Sequence, residues 1–322
     1  MDDISIDEYR NLCSKESSIP IFLKDWWLDA VCSEGQQWGV ALYKRDGRII
    51  GALPYVFCKK WGGMYLGTTK LTPYLGPWLK PHKTKYANQI GTEKKVMQGL
   101  IDELPSFSCY EQSWTPLLTN WMPFYWRDYK QMTKYTYTLP ELKDKEALWA
   151  GFLEKVRTDI RKAEKAKIVV RDDLSIEDFL GLANMTAQRQ GMDNIYPDQL
   201  ARRIDQVCEA NDCRKIFVAQ GEDGRLHAGV YIVWDDNCAY YLMGGGDPSL
   251  RNSGATSLCM WHAIQYAAVV TNEFNFLGSM IEPIERFFRG FGAKQAPYFC
   301  VSKVNSFKFK VIRSIMNRYM KS

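Results

Sequence analysis

Histidine is nearly missing from this chain, which has 3 in 322 residues: His82, His227 and His262. The first sits beside a proline in an expected loop, the second follows a hairpin turn, and the third lies within an apolar helix, so each reads as structural. No Ser-His-Asp or Cys-His pairing is legible and no G-x-S-x-G elbow occurs, so catalysis through a covalent intermediate is not expected. The 9 cysteines include no C-x-x-C pair, which argues against a zinc ribbon or a thioredoxin-like site. No metal site is expected, and the odd count reads as reduced thiols in a cytoplasmic protein. The opening "MDDISIDEYR" is acidic and lacks the apolar core of a signal peptide. No run approaches the ~18 apolar residues of a membrane span.

Strong charge is missing too. A formal net charge of +5 is far from the footprint of a dedicated DNA binder, although it suits an anionic ligand such as a nucleotide or phosphate. What is abundant is aromatic surface, 14% of residues, within an ordinary 46% hydrophobic composition. Aromatics serve cores and clefts for bulky ligands alike. The length is comfortable for two domains.

Two segments carry one pattern. "WGVALYKRDGRIIGALPYVF" (38–57) and "KIFVAQGEDGRLHAGVYIVW" (215–234) each read as two strands around an Asp-Gly turn, the strongest short hairpin signal. After the first come glycine-rich strands, a helix near 84–103 and a strand in "SFSCYEQSW". After the second come a strand in "NCAYYLMGG", a glycine-rich loop, a helix over 254–271 and a strand in "FNFLG". The order predicts an α/β (α+β) class, each half a mixed, largely antiparallel sheet flanked by helices. A basic helix over 141–167 joins the halves, its stripe formed by Trp149, Leu153, Val156, Ile160 and Ala163. A helix pair is expected at about 175–190 and 198–211, the second starting at Pro197.

"GGGDPSLRNSGATSLCMWHAIQYA" (244–267) puts bare backbone before an apolar helix. Helix N-termini carry unpaired N–H groups and partial positive charge, and so attract phosphates. A plain corner with Ser253 or Ser249 as cap is the simpler reading. Arg251 to Thr256, "RNSGAT", resembles the pyrophosphate loop of the GNAT acyltransferases, Arg/Gln-x-x-Gly-x-Gly/Ala. Arg251 and Gly254 match, and Thr256 departs at the last position. "RTDIRKAEK", "YYLMGGG" and "FNFLGSMIEPIERFFRGFGAKQAPYF" look like the Fem-like and cellulose-biosynthesis-type (CelD-like) branch, and the likeness runs from about residue 20 to 304.

That resemblance implies two tandem GNAT-like domains, 1–140 and 141–322, the second holding the joining helix 141–167 and a basic tail 303–322. It further implies an N-acyltransferase with acyl-CoA or acetyl-CoA as donor. The pantetheine arm would lie along Ala239 to Gly244 and the pyrophosphate on Arg251, Ser253, Gly254, Ala255 and Thr256. The acceptor would be an amine on a small molecule or a cell-envelope precursor, attacked directly. Fem-type relatives instead use aminoacyl-tRNA in cell-wall peptide synthesis, which leaves tRNA as an alternative partner. A non-catalytic binding module on a degenerate fold is a third reading.

Acid and base candidates are Glu282 and Glu285 after "FNFLG", Tyr240 and Tyr241 on opposite faces of the preceding strand, and Tyr298. Each of the five also suits a solvated or core place. Arg157 with Arg161, and Arg286 with Arg289, are spaced to share a helix face and clamp phosphates of a nucleotide-linked substrate or tRNA. A solvated helix surface accommodates the same spacing. The tail "KVNSFKFKVIRSIMNRYMKS" has Lys303, Lys308, Lys310, Arg313, Arg318 and Lys321 and no acid. Its apolar residues recur at helical spacing, which suits packing on its own domain or lying on an anionic membrane or RNA.

Overall fold

The computed structural model describes residues 3–32, 35–278 and 280–319. Contacts divide the chain into two compact units, one of residues 1–134 with 297–322, the other of 135–296. Along the chain, α1 (Asp3–Cys13), α2 (Asp25–Val31), β1 (Gln36–Arg45), β2 (Arg48–Lys60), β3 (Gly63–Gly67), β4 (Trp78–Leu79), α3 (Tyr86–Asp102), β5 (Cys109–Ser113) and α4 (Met122–Tyr125) form the first run. Next come β6 (Lys130–Leu139), α5 (Lys145–Gly151), α6 (Glu154–Lys165), β7 (Val169–Arg171), α7 (Ile176–Arg189) and α8 (Asp198–Ala210). The chain ends with β8 (Arg214–Gln220), β9 (Leu226–Trp234), β10 (Cys238–Gly246), α9 (Ala255–Val270), β11 (Glu273–Asn275), α10 (Glu282–Gly290), β12 (Lys294–Val304) and α11 (Phe307–Tyr319).

In the first unit β1 pairs β2 and β2 pairs β3, both antiparallel, and β3 pairs β5 in parallel across helix α3. The Asp46-Gly47 turn has both residues at positive φ, 51° and 73°, and joins Arg45 directly to Arg48. That backbone matches the strand twist, which is why Asp-Gly marks the hairpin. The core gathers Leu53, Tyr55, Leu66, Tyr110, Trp114 and Phe124 against the Val96, Met97 and Leu100 face of α3.

The second unit repeats the order. Strands β8, β9 and β10 form an antiparallel run, α9 follows, and β11 returns parallel to β10. Its core unites Val230, Ile232, Ala239, Phe274 and Phe276 with α9 residues Leu258, Cys259 and Ile264. Helix α7 opens on a capping box, with Ser175 Oγ accepting from the Asp178 N–H at 3.3 Å and Asp178 accepting from the Ser175 N–H at 3.0 Å. Helix α8 starts from Pro197, as expected.

Three expectations change. The boundary lies between 134 and 135 rather than at 140, and residues 297–322 pack in the first unit. The cause is strand pairing: Cys300 to Val304 of β12 pair antiparallel with Ser113 to Cys109 of β5, while β6 pairs β11 through Leu139 and Thr138. The joining helix is two helices. The chain turns extended at Phe152 and Leu153 because Phe152 is buried between Trp261 and Phe291, each ring 5.1 Å away. The Leu153 N–H then donates to the Gly290 carbonyl at 2.8 Å, and Leu153 itself is exposed, not in the stripe. In the tail, Lys321 lies outside the described residues, as do the side chains of Arg313 and Arg318.

Helix α9 begins at Gly254, whose φ is +84°. A Cβ there would collide with the Asp159 carbonyl oxygen of α6. Gly254→Ala is therefore expected to destabilise the fold by ~2 kcal/mol or more, combining left-handed strain with a backbone clash. Thermal unfolding checks it, and an unchanged melting temperature would show that α6 yields without cost.

Candidate functional site

The site grows from one topological event in the second unit. β10 and β11 run together for three residues only, Cys238, Ala239 and Tyr240 opposite Glu273, Phe274 and Asn275. β11 then stops. The Phe276 N–H turns to the Tyr137 carbonyl at 2.9 Å, and Leu277 enters the left-handed region at φ 53°. A buried polar set fixes this exit: Thr136 donates to Asn275 Oδ1 at 2.7 Å, the Leu277 N–H donates to the same oxygen at 2.9 Å, and the Gly278 N–H donates to Thr136 Oγ1 at 3.1 Å.

β10 continues to Gly246, still paired with β9 on its other side. Beyond Tyr240 its free edge presents backbone groups that need partners. Two hydroxyls supply them. The Gly244 N–H donates to the Tyr196 hydroxyl at 3.0 Å, and that hydroxyl lies 3.4 Å from the Gly244 carbonyl. The Gly246 N–H donates to Thr186 Oγ1 at 2.9 Å, with the Gly246 carbonyl 3.0 Å from the same oxygen. Thr186 belongs to α7 and Tyr196 to the segment before α8. Neither is signalled by spacing or motif, since their partner is backbone far away in sequence.

The glycines now have local causes. A Cβ on Gly245 would stand 2.5 Å from the Ala183 N, so α7 lies directly on the strand there. A Cβ on Gly244 would run into the Tyr241 hydroxyl. Tyr241 packs edge-on to Phe288 of α10, ring centroids 6.0 Å apart. Its hydroxyl has no hydrogen-bond partner among the described residues. Burial, with Tyr196 close by, pushes the Tyr241 phenol well above its ordinary value, so it keeps its proton through neutrality. Tyr240 is buried, its hydroxyl 3.4 Å from Asp235 Oδ2. Tyr298 stands apart, in the first unit, edge-on to Tyr74 at 5.3 Å.

Glu285, in the first turn of α10, is already engaged. It accepts from the Tyr137 hydroxyl at 2.7 Å and from Arg289 Nε at 2.9 Å, and these donors hold its carboxyl below the ordinary range. Gln295 Nε2 donates to the same Tyr137 hydroxyl at 3.1 Å. Glu282 is exposed in that turn. Of the arginines, Arg157 reaches the Ala150 carbonyl at 3.4 Å and Arg161 lies over the Trp149 ring at 5.6 Å. Arg289 pairs with Glu285, and Arg286 is exposed. The structure does not gather the four onto one anion.

At the loop, Arg251 is exposed on a short turn, Arg251–Ser253, ahead of α9. Ser253 Oγ accepts from the Ala255 N–H at 3.3 Å, and Lys162 donates to the Asn252 carbonyl at 2.6 Å. The helix cap is Gly254 itself; Ala255 is buried and Thr256 half-buried. Burial lowers the pKa of both His227 and His262, so neither is charged near neutrality. A cavity of about 650 Å³ lies elsewhere, in the first unit, among Tyr43, Tyr55, Asp102 and Glu103. None of the candidate site residues lines it.

Residues 150–280, within the mixed α/β fold, match the acetyltransferase (GNAT) domain family. A crystal structure of FemX is similar at 12% identity and a TM-score of 0.69, over 92% of this chain and 96% of that one. The L-PGS structure from Bacillus licheniformis is similar at 11% identity and a TM-score of 0.52, over 97% and 95%. A tandem GNAT protein from the clavulanic acid biosynthesis pathway follows at 9% identity and 0.50, over 95% and 96%. At such identities the likeness is one of fold. No curated protein matches the sequence.

The Glu285 pair gives a pH test. A carboxyl depressed in the folded state stabilises above its unfolded pKa and loses that contribution as pH falls through the folded value. Tyr137→Phe removes one donor and returns Glu285 toward its ordinary value. The variant is expected to be less stable than the parent at about pH 7, with the gap closing toward about pH 3. Urea unfolding at both pH values checks this, and a gap that persists undiminished in acid would assign the loss to packing.

Proposed function

We propose that the second unit is an N-acyltransferase that moves an acyl group from acyl-CoA to an amine, with the reacting carbonyl at the gap between β10 and β11. One observation carries this reading: β10 runs on past the end of β11 at Tyr240, its edge met by the Tyr196 and Thr186 hydroxyls that an entering arm would displace, and beside it stands the Tyr241 phenol, which has no hydrogen-bond partner among the described residues. An extended amide-bearing arm adds to such an edge as a further strand would. Arg251 and the N-terminus of α9 stand ready for the donor's phosphates. The amine nitrogen attacks the acyl carbon, the C–S bond breaks, and the leaving sulfur takes the Tyr241 proton. The amine's surplus proton leaves to solvent, and solvent returns a proton to the Tyr241 phenolate. Glu285 plays no part as base, because Tyr137 and Arg289 already donate to its carboxylate and lower its basicity.

A second reading keeps the reaction and changes the donor to aminoacyl-tRNA, as in the Fem-like branch. The Tyr196 hydroxyl favours it, since it already occupies the Gly244 amide that a pantetheine arm would use. An aminoacyl ester has no such arm to seat.

Thermal unfolding with coenzyme A, acetyl-CoA and longer acyl-CoAs separates the two. Ligand at 100 times its Kd stabilises by about 2.7 kcal/mol. The expected result is a shift that disappears in Arg251→Ala and grows in Tyr196→Phe, which frees the Gly244 amide. Tyr241→Phe is expected to keep that shift while slowing coenzyme A release in the presence of a reactive amine by about a hundredfold. No shift with any acyl-CoA, together with tRNA binding that falls steeply with salt, would transfer the proposal to the second donor.

A further inference from the structure

Helix α11 has two apolar faces, and only one has a use inside the first unit. Phe309 is buried, edge-on to Trp61 at 5.3 Å, and anchors the helix on the β2–β3 hairpin. Phe307, Val311 and Ile315 lie four residues apart on the opposite face, exposed at 80%, 42% and 50%. Burying them against their own domain is what an isolated amphipathic helix normally achieves. Here the anchoring residue is offset by half a turn, so the stripe of Phe307, Val311 and Ile315 faces out.

The surroundings are cationic. Lys60 lies over the Trp61 ring at 4.6 Å, and Trp61 is 38% exposed at the hairpin tip. Lys308 reaches toward Gly62 of the same tip. Lys59 and Lys310 add charge, and from Lys303 to the chain's last residue there is no acid. None of these lysines takes part in an ion pair among the described residues.

We infer that α11 and the β2–β3 tip form a docking surface for an anionic lipid bilayer, with Phe307, Val311, Ile315 and Trp61 entering the headgroup boundary and the lysines meeting lipid phosphates. Charge selects this occupant. A second copy of the same surface would set cation against cation. RNA would use the charge but not the aliphatic Val311 and Ile315, because single-stranded bases are held by flat rings. A bilayer of anionic lipid takes both components, apolar area and positive charge.

The experiment is co-sedimentation of the full chain with vesicles of phosphatidylcholine alone and with about one third phosphatidylglycerol. Binding is expected only to the anionic vesicles. It should weaken about tenfold in Phe307→Ser with Ile315→Ser, and be lost in Lys308→Glu with Lys310→Glu. These side chains are solvent-facing, so circular dichroism should report an unchanged fold. Equal binding to neutral vesicles, absence of binding to either, or indifference to the Phe307 and Ile315 changes would each overturn the inference. So would tRNA displacing the protein from vesicles while binding the Ser variants undiminished, which would make the surface one for RNA.

Discussion

A strand edge that loses its neighbour halfway is the constraint around which the second unit is organised. β10 is three times as long as the pairing that β11 offers it, and backbone N–H and C=O groups away from water must find partners. Tyr196 and Thr186 close that requirement from the side, with hydroxyls from α7 and the segment before α8. The same stop in β11 creates the polar knot of Thr136, Asn275, Leu277 and Gly278. Both groups of contacts hold the edge apart, and the gap beside Tyr241 follows from them.

Packing around the gap explains the glycine run. Gly245 lets α7 lie on the strand, Gly244 makes room for the Tyr241 hydroxyl, and Gly254 accepts the approach of Asp159 from α6. Each replaces a side chain by a neighbour of the fold, so structure alone is sufficient cause for these three. Bare backbone before a helix is therefore a weaker sign of a phosphate than its sequence suggests. Arg251 stays distinct from them, as an exposed cation at the turn with no ion pair among the described residues.

Electrostatics sort the remaining candidates by what already touches them. Glu285 is satisfied by Tyr137 and Arg289, which makes it a brace between β6 and α10 rather than a free base. Tyr241 is the opposite case, half-buried, protonated and without a hydrogen-bond partner among the described residues. Tyr240, its neighbour in sequence, points to the other face, as the two-residue period of a strand demands.

Much of this was legible in the chain itself. The Asp-Gly hairpins, the start of α8 at Pro197 and the repeated order of strands and helix follow from local backbone preferences and periodicity, which act within a few residues. The exchange of β6 and β12 was not, since pairing Cys300 with Ser113 spans most of the chain and leaves no local pattern. Nor was the break at Phe152, where burial against Trp261 and Phe291 outweighs the continuity of a helical stripe. Composition and periodicity determined the fold class, and the resemblance to the GNAT acyltransferases put Tyr241 among five candidates. Only the tertiary structure decided which of their polar groups already have partners, because that depends on what the fold brings within hydrogen-bond reach.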